Sequence, residues 1–130
     1  MGTVRVLVNN AGVTGPLGPL VELADQDLAR VLDVNLAAPV RLIREVLRQP
    51  REGSLAIVNI TSLAARTGSP GEYVVYAATK AALETLTVGL ATEAAAQGVR
   101  VNAVALRRSG SGGASASDPW SPRPVNLWSS

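Results

Sequence analysis

Apolar residues fall along this chain in alternating blocks of strand and helix period. Val4 to Val8 is a short β-branched run that stops at Asn9-Asn10-Ala11-Gly12, the pattern of a buried strand ending in a turn. A loop punctuated by Gly12, Gly15, Pro16, Gly18 and Pro19 comes next. From about Asp25 to Arg48, Leu28, Val31, Leu32, Leu36, Val40, Ile43, Val46 and Leu47 recur at helical spacing, with acids in the first turn and arginine in the last. Pro39 lies inside that stripe and predicts a bend or break there, and Pro50 and Gly53 end the helix. Leu55 to Ile60 reads as a second buried strand, closing at Thr61-Ser62. A loop through Gly68, Pro70 and Gly71 leads to an alanine-rich helix from about Tyr73 to Gln97, stopped by Gly98, and Val99 to Leu106 is a third strand. Strand, helix, strand, helix, strand, with crossovers this long, predicts an α/β fold on a parallel sheet with right-handed connections. Both helices then fall on one side of the sheet.

The periodicity ends at Leu106. Residues 107–130 hold seven Ser, three Gly and three Pro, and both tryptophans, Trp120 and Trp128, lie among them. The expected organisation is therefore a folded domain over residues 1–106 and a low-complexity, disordered tail over 107–130.

Composition narrows the chemistry. With 130 residues, 47% hydrophobic and 17% charged, the chain is one domain at most and can build a core. It has no Cys and no His, which removes thiol nucleophiles, disulfides, imidazole bases and the usual zinc ligand sets. Proton chemistry is left to Tyr, Lys and carboxylates. The net charge is only +2 and resides in the tail, so no nucleic-acid partner is expected. Met1-Gly2-Thr3 runs straight into the first strand with no signal peptide, and no unbroken apolar run reaches membrane-spanning length. The expectation is a cytoplasmic protein with no membrane partner.

Four features carry candidate chemistry. Tyr76 and Lys80 stand four apart, which on a helix places phenol and ammonium on one face. Lys80 is the only lysine among 12 basic residues. A nearby ammonium favours the phenolate and suits a tyrosine to proton transfer near neutral pH, although the same spacing also occurs on solvated helix faces. Asn35 falls on the apolar stripe between Leu32 and Leu36, so its amide must find partners: backbone, a structural water, or a water in a proton path. Ser62 closes the second strand, placed either to hydrogen-bond a substrate oxygen or to serve as a helix cap or loop serine. Asn10-Ala11-Gly12 closes the first strand with small residues that would let a flat ligand approach the backbone, or simply make a turn. In open parallel sheets ligands bind beyond these carboxyl ends. The run Thr14-Gly15-Pro16-Leu17-Gly18 fits neither G-x-G-x-x-G nor a Walker A loop, and its prolines remove N–H donors a phosphate would need.

In this order and on these elements, Asn10-Ala11-Gly12, Asn35, Ser62 and Tyr76-x-x-x-Lys80 resemble the short-chain dehydrogenase/reductase family. Leu7 to Gly12, Val31 to Leu36, Ile57 to Ser62 and Val99 to Val104 are similar to its characteristic blocks, and the resemblance runs from residue 4 to about 105. It implies part of a Rossmann-like, doubly wound parallel sheet and an oxidoreductase that transfers hydride between NAD or NADP and a small carbonyl/alcohol substrate. By resemblance Tyr76 is the acid/base, Lys80 tunes it and binds the nicotinamide ribose, Ser62 holds the substrate oxygen, and Asn35 fixes a water linking Lys80 to solvent. Asn10, Ala11 and Gly12 would line the cofactor pocket together with Tyr76 and Lys80. The resemblance also implies a homo-oligomer through the two long helices, where Ala77, Ala78, Ala81 and Ala82 would permit close packing.

The departures set further expectations. The chain begins at what resembles the family's fourth strand, without the glycine-rich cofactor loop, and Ala105-Leu106-Arg107-Arg108-Ser109 stands where a Pro-Gly turn would contact the nicotinamide. It therefore reads as a fragment whose tail is a frameshifted or misjoined end. Impaired activity is expected, or at most a role as an interaction element beside a full-length relative. One sheet face and one strand edge should lie open, a liability for aggregation.

Overall fold

The computed structural model describes residues 2–107. The tail expectation beyond Arg107 lies outside the described residues. The chain runs β1 (Val6–Asn9), α1 (Asp25–Leu32), a π-helical turn (Asp33–Ala37), α2 (Ala38–Arg48), β2 (Leu55–Ser62), a short α3 (Ala64–Thr67), α4 (Val74–Ala94) and β3 (Val99–Leu106). The three strands are parallel in the order β1-β2-β3, with Val6 opposite Ala56 and Leu55 opposite Val99. This is the expected piece of a Rossmann-like sheet, and β3 has the span read from its residues.

One face of the sheet holds the core. Leu55 and Ile57 of β2 and Val99 and Val101 of β3 are buried against Ile43 and Val46 of α2 and Ala94 of α4, so both long helices cover the same side. A fully buried leucine or isoleucine contributes about 1.5–3 kcal/mol. The opposite face is open: Val6 is 60% exposed, Val8 53%, Val104 46% and Leu106 52%. Alternation along the strands thus separates a buried row from a second row, apolar on β1 and joined on β3 by Arg100 and Asn102, over which no helix lies among the described residues.

The Pro39 prediction is met one turn early. Pro39 sits in the first turn of α2, and the preceding residues widen into the π-turn, where Ala38 N–H donates to Asp33 O, five residues back. Proline offers no N–H to the carbonyl of Asn35 and its ring crowds that oxygen, so a wider turn relieves the clash without breaking the helix. At the other end of the fold, Gly98 takes φ 73°, a left-handed cap that β-carbon residues resist, and its N–H closes on Ala95 O at 3.1 Å.

Among the described residues one stretch, Val74–Gln97, is long and apolar enough to cross a bilayer by length and composition. Unbroken runs do not reveal it because Lys80 and Glu84 interrupt them. One side of it packs on the sheet: its Leu83 and Thr87 are buried, and Lys80 reaches the carbonyl of Ile60 on β2.

Buried polar groups tie sheet to helix. Asn9 donates through Nδ2 to Asn59 Oδ1 at 2.9 Å, Asn59 donates to Thr87 Oγ1 at 3.0 Å, and Thr87 donates to Leu83 O at 2.7 Å. Asn59 and Thr87 are fully buried and Asn9 nearly so. Replacing Asn59 by Leu leaves both neighbours short of a partner, an expected loss of about 2–4 kcal/mol, against about 1 kcal/mol for Thr87→Val. Urea midpoints followed by circular dichroism check this; similar small losses for both variants would show the row to be dispensable.

Candidate active site

The carboxyl ends of the strands open into a cleft of about 450 Å³. Asn10 and Gly12 come after β1, Ser62 ends β2, and Tyr76 and Lys80 project from the first turns of α4; all five line the cleft. The structure thereby gathers residues up to 70 positions apart, Asn10 and Lys80, at one sheet end. Ala11 is exposed and is not among the lining residues. Asn35 is not either, although its Oδ1 lies 3.7 Å from where a β-carbon would stand on Gly12.

Lys80 is the best-determined group. It is only 3% exposed, and Nζ donates to Ile60 O at 3.1 Å, leaving two of its three N–H donors for other acceptors. Nζ also stands 5.6 Å from the Tyr76 ring centroid, within cation–π range. The close approach of Gly12 makes this placement possible, since a β-carbon there would meet Nζ at 3.1 Å.

Burial lowers the Lys80 pKa below its ordinary 10.5, because desolvation disfavours the ammonium. Between the lowered value and 10.5 the unfolded chain holds a proton that the folded chain has lost, so this group adds stability as pH rises through that window and adds none below it. Relative to Lys80→Met, the wild-type chain should therefore gain stability from neutral pH toward 10.5. Urea midpoints across that range test the sign; a difference that stays flat or falls would contradict it.

Asn35 is fully buried and satisfied. Its Oδ1 accepts from Val13 N–H at 2.8 Å, and Nδ2 donates to Val13 O at 2.8 Å and to Thr79 Oγ1 at 3.2 Å. Thr79 passes the chain on, donating to Tyr76 O at 2.6 Å. The amide thus clips the loop after β1 to the turn of α4 that carries Tyr76 and Lys80. Ser62 Oγ accepts from Ala64 N–H at 3.1 Å, the local turn bond of a loop serine, while the residue also faces the cleft. Its hydroxyl proton is directed by neither.

Sequence reading missed Tyr73, Thr79 and Arg107 as parts of the site. Tyr73 meets Tyr76 edge-on, with ring centroids 5.2 Å apart and planes at 89°, and lines the cleft. Its spacing of three residues from Tyr76 at the head of a helix was the available signal. Thr79 lies between the two motif residues and could have been paired with Asn35 only by a fold. Arg107, read as the start of the tail, lines the cleft.

The site suits one end of a nicotinamide cofactor. Gly12 presents bare backbone beside Lys80, and the remaining ammonium donors match ribose hydroxyls. No G-x-G-x-x-G run exists in the chain to hold a pyrophosphate.

Comparison with known proteins identifies the family. The sequence matches the family described as short chain dehydrogenase over residues 1–112. The chain is 46% identical over 105 residues to the oxidoreductase YgfF of Escherichia coli, covering 78% of this chain and 42% of the relative. It is 43% identical over 105 residues to the 3-oxoacyl-[acyl-carrier-protein] reductase FabG of Staphylococcus epidermidis, covering 80% of this chain and 42% of that one. Among solved structures it superposes on 4-hydroxyisoleucine dehydrogenase complexed with NADH and succinate with a TM-score of 0.71 and 37% identity, over 78% of this chain and 43% of that one. The chain thus spans about two fifths of the length of these relatives. With its parallel sheet, its cleft at the strand ends and its family match over most of its length, this chain belongs to the short-chain dehydrogenase family of oxidoreductases.

Proposed function

We propose that this site exchanges a proton with the oxygen of a small carbonyl/alcohol substrate while NAD or NADP exchanges the hydride. The observation that carries the proposal is the convergence of Ser62, Tyr76 and Lys80 on one cleft, with the ammonium 5.6 Å from the phenol ring. In the reducing direction Tyr76 gives its hydroxyl proton to the substrate oxygen, and the Lys80 charge stabilises the phenolate that remains. Ser62 holds the same oxygen by a hydrogen bond from its hydroxyl, keeps that proton, and so fixes the reacting carbon, with Ala64 N–H holding Oγ in place. Asn10, Ala11 and Gly12 would border the nicotinamide, and Lys80 would hold its ribose. Hydride donation or acceptance is the chemistry the cofactor supplies when bound. Asn35 acts by holding the β1 loop against α4, and would fix a water on the path from Lys80 to solvent.

The described residues supply only the nicotinamide-ribose end, so binding is expected to be weak. Calorimetric titration with NADH and NADPH, paired with the fall in nicotinamide absorbance on adding small ketones, tests the reading. Turnover at millimolar cofactor is the expected result. A folded chain that binds cofactor but reduces no ketone would sink the catalytic assignment.

A second reading, an interaction element that pairs with a full-length relative, is favoured by the open sheet face and the unpaired edge of β1. Pairing through the long helices has its own support: Leu42 and Val88 are half exposed, and an apolar groove lined by Ile43, Leu47, Leu86 and Leu90 runs between α2 and α4.

A further inference from the structure

Beneath the loop after β1 lies a smaller cavity of about 100 Å³. Its walls are mainly apolar, with Leu20 and Leu23 from the loop, Val31 from α1, and Val74 and Val75 from α4. Thr14, Leu17, Tyr73 and Tyr76 line both this cavity and the cleft, so the two share a wall built around the phenol. One backbone bond fastens the loop over it: Gly18 N–H donates to Glu72 O at 2.8 Å, immediately before Tyr73. The ionisable neighbours of the cavity are carboxylates. Glu22 and Glu72 line it, and Glu22 Oε2 lies 3.0 Å from where a β-carbon would stand on Gly18. The cations of the cleft, Lys80 and Arg107, are not among its walls.

We infer that this chamber sorts substrates: it takes a short, uncharged aliphatic substituent of the carbonyl or carbinol carbon, and Tyr73 is the wall that limits its length. The inference rests on Tyr76 being the proton donor, because the chamber matters only if the reacting oxygen sits at that phenol. Size sets the class. An enclosed apolar cavity of about 150 Å³ accommodates benzene, so this recess of about 100 Å³ matches a chain of about three or four carbons better than a ring. Charge sharpens it. A carboxylate pushed into the chamber would lose its water among mainly apolar walls and face two acids, both unfavourable. Longer or anionic tails must therefore lie along the open cleft, on the side of Arg107.

Methyl-labelled spectra of the full chain, titrated with 4-heptanone and with 4-oxoheptanedioate, whose two substituents are alike, test the inference without any cofactor. Shifts at Leu20, Leu23, Val31, Val74 and Val75 are expected with the ketone and not with the keto acid. Val75→Phe, which fills the chamber, should abolish them. Tyr73→Ala should let 6-undecanone, with a five-carbon chain on each side, shift the same methyls and raise its kcat/KM roughly tenfold, the scale that one or two methylenes command in an apolar pocket. Equal responses to both ligands, or a response that survives Val75→Phe in a folded variant, would overturn the chamber. Methyl shifts without ketone turnover would leave the chamber standing and remove the role of Tyr76. Turnover whose chain-length preference is unmoved by Tyr73→Ala would do the reverse.

Discussion

Replacing Tyr76 by Phe is expected to lower kcat for ketone reduction by about 10²–10⁴-fold, the contribution of a positioned general acid. Phenylalanine keeps the ring, and with it the edge-on contact to Tyr73 at 5.2 Å and the surface under the Lys80 ammonium at 5.6 Å. Only the hydroxyl is lost, so folding and cofactor affinity should stay within a few-fold of wild type. The effect should appear in kcat at saturating ketone, since a group that acts only as the proton moves contributes little to ground-state binding. Tyr73→Phe is the matched control: it also removes one phenol oxygen from the cleft but no transferable proton from the reacting position. If the two variants fall equally, or if Tyr76→Phe falls by less than about tenfold, the phenol is not the acid. Initial rates at millimolar NADPH, with circular dichroism to verify the fold, decide the matter.

The site was partly legible in the sequence, and the legible part obeys a rule. Features fixed by local chemistry read through: β3 from the apolar run Val99–Leu106, the helix end from Gly98, and the shared face of Tyr76 and Lys80 from their spacing. Asn35 could be seen to need partners because it interrupts an apolar stripe. Which partners was beyond sequence, since Val13 and Thr79 stand 22 and 44 residues away and meet it only when the sheet brings loop and helix together. The same holds for Ile60 O as the acceptor for Lys80, and for the Gly18–Glu72 bond that shuts the loop over the chamber. Pro39 announced a disturbed helix, but relief came upstream as a wide turn because the clash is with the carbonyl four residues back. The block resemblance supplied what spacing could not, namely an expectation of which polar positions act together.

Asn35 should prove as sensitive as Asn59 among the buried polar residues of the fold. Asn35→Ala removes three hydrogen bonds at once, two to Val13 and one to Thr79, from a position with no exposed surface. The Val13 N–H and C=O then lose their partners under the loop, and orphaned groups and the small cavity together should cost about 2–4 kcal/mol. Asn35→Asp separates the two halves of the amide. Its oxygen can still accept from Val13 N–H, but an ionised carboxylate cannot donate to Val13 O or Thr79 Oγ1 and would be a buried charge beside one acceptor it repels. Burial would raise the folded-state pKa of that carboxyl above its unfolded value, so this variant should be less stable than Asn35→Ala near neutral pH. It should then recover as pH falls and the protonated acid regains one donor. Urea midpoints for both variants, measured from neutral to acid, carry the test. A loss below about 1 kcal/mol for Asn35→Ala, or an Asp variant insensitive to acid, would mean that the loop after β1 is held by its own backbone and that Asn35 does not fasten the site to α4.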